Sequence, residues 1–179
     1  KTERSTAMTG EGSSATRDDI RIGGKLCYQV NNRFSSIMVE LNGLLDRDQV
    51  LAHLHERCAI VHQSNCTSAY AVGLAKSLFR EFPWANIYRG NDVRMLGKIH
   101  ARQCPGDPPF WVVALNAQYS PGPSRQQRWE RDSKDRRLYW FQACLEELGN
   151  MGFTTVLMPL GIGCGLAGGD WGSYYRAIR

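Results

Sequence analysis

The sequence predicts an α/β fold built on a largely parallel sheet. Short, continuously apolar runs, which mark strands covered on both faces, alternate with stretches whose apolar residues recur at helical spacing. The 42% hydrophobic content of a 179-residue chain supplies one well-buried core and too little for two.

Residues Lys1 to Asp19 are rich in Ser, Thr, Gly and charge and read as a disordered tail, which leaves residues 20–179 as one domain. Leu26–Val30 and Ile37–Leu41 read as two strands joined by a turn at Asn31-Asn32-Arg33. Asp46 and Gln49 stand at capping-box spacing and open a helix with Val50, Leu51 and Leu54 on its apolar face. Cys58–His62 is a buried strand. The loop Gln63 to Ser68 then leads into a helix carrying Ala71, Ala75, Leu78, Phe79 and Phe82, which Pro83 ends. Lys98–Gln103 and Trp111–Leu115 are the next strands. After a polar loop from Asn116 to Arg131, a helix starts at Asp132 or Ser133, with Leu138, Phe141, Leu145 and Leu148 inward and Gly149 as a left-handed cap. Thr154–Pro159 is the last buried strand, followed by a glycine loop and a helix from about Trp171. Trp84, Trp111, Trp129 and Trp140 read as packing residues.

No apolar run approaches the roughly 20 residues of a membrane span, and no signal segment follows Lys1. The six cysteines form no C-x-x-C pair, and no His stands at zinc spacing from them; this predicts a reducing, intracellular compartment and no metal. Without an initiator Met, the chain reads as part of a larger polypeptide. A net charge of +5 and a pI near 9.0 fit an anionic ligand and leave RNA contact open. Glu130, Asp132 and Asp135 interrupt the basic run Arg128–Arg137, which reads as a solvated mixed-charge face.

Two loops carry the chemistry, both at the carboxyl end of the sheet, where such folds bind ligands. The first is Gly161-Ile162-Gly163-Cys164-Gly165-Leu166-Ala167-Gly168-Gly169-Asp170-Trp171. Glycines this dense let backbone N–H groups approach an anion, and the helix beyond adds its positive end. The same residues spell G-x-G-x-x-G, but the chain ends before the further strand and acid of a dinucleotide fingerprint. The second loop, His62 to Ala75, passes Gln63 and Asn65 and enters a helix through the small residues Ala69, Ala71, Gly73 and Ala75, with Leu74 among them. Asn65 is placed to bond a sugar hydroxyl or to shape the loop. Asn116, Gln118 and Tyr119 stand at the same end of the sheet, and Pro121-Gly122-Pro123 stiffens the segment after them.

A strand ending in H-Q-S-N, a small-residue entry into G-L-A and a distant G-I-G-C-G-L-A-G-G-D-W resemble a macro domain, over about Val39 to Arg179. The branch is that of the yeast-type ADP-ribose 1''-phosphate phosphatase and the terminal ADP-ribose glycohydrolase. The resemblance implies a three-layer α/β/α sandwich with a mixed, mostly parallel sheet. Gly161 to Gly168 would then grip the diphosphate of ADP-ribose, and Asn65 would contact the distal ribose. It names ADP-ribose, or an ADP-ribosylated protein or metabolite, as partner, with no cofactor. Asn42-Gly43 stands where the family often has Gly-Asp for adenine, so adenine recognition would fall to Asn42 or a backbone carbonyl. Gln118 and Ala167 stand at or near the nucleophilic lysine and the aspartate of the glycohydrolases, which disfavours a lysyl adduct. The available acid–base pair is His62 and Asp170; a satisfied buried histidine and a helix cap are the structural alternatives.

Overall fold

The strand Cys58–Asn65 (β4) shows why this chain forms a sheet. Its first five residues are all buried and alternate between two apolar environments. Cys58 and Ile60 join one hydrophobic cluster, and Ala59 and Val61 join the other. Trp111–Gln118 (β6) and Thr155–Pro159 (β7) repeat the pattern: Val112, Ala114 and Leu157 go with the first cluster, Val113, Leu115, Val156 and Met158 with the second. Each Val, Ile, Leu or Met among them contributes about 1.5–3 kcal/mol through its burial, and each Ala less.

The computed structural model describes residues 57–90, 92–124 and 132–179, together with the backbone of Ile20–Ile22 (β1), Lys25–Val30 (β2) and Ser36–Leu41 (β3). With Ile99–Gln103 (β5) these strands form one mixed seven-stranded sheet in the order β1-β2-β3-β7-β4-β6-β5. The middle is parallel: β3 with β7, β7 with β4 and β4 with β6. β1, β2 and β3 pair antiparallel at one side, and β5 runs antiparallel to β6 at the other edge.

Gly73–Glu81 (α1) sends Ala75, Leu78 and Phe79 into the first cluster. Lys134–Asn150 (α2) and Trp171–Ile178 (α3) send Phe141, Cys144, Leu148 and Tyr174 into the second. Ser133 starts α2, its side chain accepting a hydrogen bond from the Arg136 N–H. The fold is therefore α/β, and among the described residues no helix is long and apolar enough to cross a membrane.

Several sequence expectations change. β4 runs on to Asn65 and β6 to Gln118, through residues that read as loop. These polar ends pair with each other: the Ser64 hydroxyl donates to Asn116 Oδ1 at 2.7 Å. α1 begins at Gly73, so Ala71 precedes it. Gly149 lies inside α2, and the left-handed residue after the helix is Gly152, with φ 70°. The short strand β1 was not expected. Asp132 and Arg137 are buried, not part of a solvated face. The tail 1–19, the turn Asn31–Arg33, Asn42, the helix from Asp46, and Trp129 lie outside the described residues.

Candidate functional site

The parallel strands β4, β6 and β7 end at one cleft of about 330 Å³. His62, Gln63 and Asn65 come from the end of β4, Gln118 from the end of β6, and Gly73, Leu74 and Ala75 from the first turn of α1. The opposite wall is the glycine loop: Gly161, Ile162, Gly163, Gly165, Leu166 and Ala167. The two loops singled out in the sequence thus share a single cavity.

The loop folds as it does because of its glycines. Gly161, Gly163 and Gly168 have φ of 71°, 73° and 68°, a region that costs side-chain-bearing residues steric strain. At Gly163 a Cβ would overlap the Tyr174 ring and stand 2.5 Å from Gln63 Oε1. Gly165 differs, because a Cβ there would meet nothing within 4 Å. The loop turns on its own hydrogen bonds, Cys164 N–H to Gly161 O at 2.8 Å and Gly169 N–H to Gly163 O at 3.0 Å. The N–H groups of Gly163, Gly165, Leu166 and Ala167 take no partner among the described residues. Four donors from residues lining one cavity make a nest suited to an anion.

Across the cleft, Asn65 is 5% exposed and shapes its own loop, Oδ1 accepting from Ser68 N–H at 2.7 Å. Its Nδ2 reaches the Tyr88 hydroxyl at 3.5 Å. Arg94 lies 4.4 Å above the Tyr88 ring and donates to Ser68 O at 2.6 Å, which fixes the same wall.

His62 is 1% exposed and meets Phe79 edge-on at 5.2 Å. Its Nδ1 is 3.3 Å from Gln63 O, and its Nε2 is buried with no partner among the described residues. Burial lowers its pKa to about 4, against a smaller opposing effect of the Gln63 carbonyl. The ring is therefore neutral at neutral pH. The Gln63 side-chain amide is likewise buried, near the Tyr174 hydroxyl.

Sequence reading missed the fastening between the cleft walls. Arg137, 1% exposed, donates to Asp132 through Nε at 2.8 Å and Nη2 at 2.6 Å. Its Nη1 donates to Gly122 O at 2.7 Å and to Ala167 O at 3.0 Å, and both residues line the cleft. Asp132 also accepts from Tyr119 N–H at 3.3 Å and Ser120 N–H at 3.1 Å. Tyr88, Val72, Pro121, Gly122, Pro159 and Leu160 line the cleft besides the residues singled out in the sequence. Nothing near Tyr88 in the chain signals its place, since it arrives by tertiary packing.

Other candidates stand elsewhere. Asn116 is buried and holds Ser64. Tyr119 is 46% exposed and does not line the cleft; its carbonyl accepts from Cys66 N–H and Thr67 Oγ1. Cys164 turns its thiol to Ile162 O at 3.4 Å, and Gly168 backs onto Pro123. Asp170 is exposed, does not line the cleft, and caps α3, accepting from Ser173 N–H and Ser173 Oγ at 2.8 Å each. Those two bonds lower its pKa.

No family model matches the chain. No curated protein matches it either. Among solved structures it is similar to a protein of unknown function from Bacteroides thetaiotaomicron, with a TM-score of 0.52 and 20% identity. The match covers 78% of this chain and 88% of that one, and it is a likeness of fold alone.

Proposed function

We propose that the cleft binds ADP-ribose or an ADP-ribosylated molecule, its diphosphate lying on the glycine loop, in a three-layer α/β/α macro-domain sandwich. The observation that carries this reading is the set of four N–H groups, on Gly163, Gly165, Leu166 and Ala167, that have no partner among the described residues and line the same cleft as Asn65. Such amides offer a diphosphate several charge-assisted hydrogen bonds with little reorganisation. Asn65 and the Tyr88 hydroxyl form the polar patch that a ribose needs opposite them.

Binding without turnover is the form the chemistry favours. A general base works best with a pKa near the operating pH, and that of His62 lies near 4. The Asp170 carboxylate is occupied at the head of α3, and Gln118 and Ala167 provide neither nucleophile nor acid.

Calorimetric titration of the purified domain with ADP-ribose tests the reading. Saturable binding is expected, and Gly165→Trp, whose side chain enters open space in the cleft, abolishes it. A flat titration of the unsubstituted protein at about millimolar ligand sinks the proposal. Release of phosphate from ADP-ribose 1''-phosphate above a blank would reinstate a hydrolase.

A further inference from the structure

A second cavity of about 370 Å³ lies beside the cleft, and the two share Tyr88. Lys76 and Arg80 on α1 and Arg89 after Tyr88 line it, and among the described residues no carboxylate does. Of the three cations, Arg80 has a neighbour of opposite charge, Glu81, with Nε 3.3 Å from Oε1. That pair is exposed and weakly held. Three positive side chains around one concavity raise the potential there and favour an anionic occupant.

The cavity also has aromatic walls. Tyr70 is 68% exposed, unusual for so large a ring, and stands at the cavity beside Tyr88. Tyr88 is braced by Arg94 at 4.4 Å from its ring centre and by Phe79, which also lines the cavity, at 6.0 Å. A braced ring and an exposed ring next to three cations fit a base joined to a phosphate better than a bare inorganic ion.

We infer that this cavity is a second ligand site, specific for a nucleoside monophosphate, with Lys76, Arg80 and Arg89 holding the phosphate and Tyr70 stacking on the base. The site adjoins the glycine-loop cleft at Tyr88, but Lys76, Arg80, Arg89 and Tyr70 do not line that cleft, so the inference stands whether or not the cleft takes ADP-ribose. The three cations lie on the surface, so replacing them leaves the core untouched.

The test is calorimetric titration of the full chain with AMP and with inorganic phosphate. The combined variant K76Q/R80Q/R89Q is expected to bind AMP at least about tenfold more weakly than the wild type. Tyr70→Ala should weaken AMP while leaving inorganic phosphate unchanged. Gly165→Trp, which fills the other cleft, should leave AMP affinity as it was. Unchanged AMP affinity in the triple variant overturns the inference, as does loss of AMP binding in Gly165→Trp alone. Binding of an RNA oligomer without binding of AMP overturns it as well. ADP-ribose titrated into the triple variant separates this result from the cleft's own function, since that affinity depends on other residues.

Discussion

Arg137 and His62 are equally buried, at 1% exposure each, yet they stand in opposite polar surroundings. Around Arg137 the protein satisfies the whole guanidinium, with Asp132, Gly122, Ser120 and Ala167 all accepting from it. Around His62 it supplies one long contact, to Gln63 O at 3.3 Å, and leaves Nε2 without a partner among the described residues. Buried polar groups are ordinarily paired, so the open Nε2 of His62 is the exception and the fully bonded Arg137 the rule. The first region is a tied scaffold, and the second holds a buried imidazole with spare hydrogen-bonding capacity. Burial alone does not distinguish them; the count of internal partners does.

That contrast can be broken at its scaffold end first. Arg137→Met leaves Asp132 buried without its counter-charge, and breaking such a pair costs about 3–5 kcal/mol. A large fall in the denaturation midpoint is expected, together with loss of ADP-ribose affinity, because Gly122 and Ala167 are no longer tied. A variant of wild-type stability would show that the pair is dispensable.

The next largest effect belongs to His62 and to pH. Its folded pKa of about 4 lies below the ordinary 6.5, so between those values the unfolded chain takes up a proton that the folded chain refuses. The stability tied to the neutral ring is whole above pH 6.5, drains as the pH falls toward 4, and changes no further below that. The loss amounts to about 3 kcal/mol. Melting curves of the wild type and His62→Gln should diverge in slope across that window; parallel curves would mean that the ring titrates normally.

The smallest effect is expected at Asp170, which has its partners, as Arg137 does, but at the surface. Asp170→Ala should lower the melting temperature slightly through the lost cap on α3 and leave ADP-ribose affinity unchanged. A marked loss of affinity with an intact fold would return this carboxylate to the list of ligand contacts.

What the sequence disclosed, and what it hid, follows the same division between apolar and polar burial. The runs Cys58–His62 and Thr155–Pro159 were visible because hydrophobic continuity is local. The glycine loop was visible because few other structures need so many residues without a side chain. The extensions of β4 and β6 were hidden because Ser64 and Asn116 are buried by bonding to each other across the sheet, with no apolar pattern to announce it. Arg137 and Asp132 were misread for a related reason: in sequence a buried ion pair looks like any charged stretch. Tyr88 and the walls it joins are products of long-range packing, and no local period encodes them.

The rim of the glycine-lined cleft carries Val72, Leu160 and Leu166, at 39%, 41% and 62% exposure. Left in water, these side chains keep a hydration shell whose heat capacity is high. A ligand that filled the cleft as proposed would displace part of that shell. If the proposed binding occurs, the apolar share of this burial makes the enthalpy of association more negative on warming.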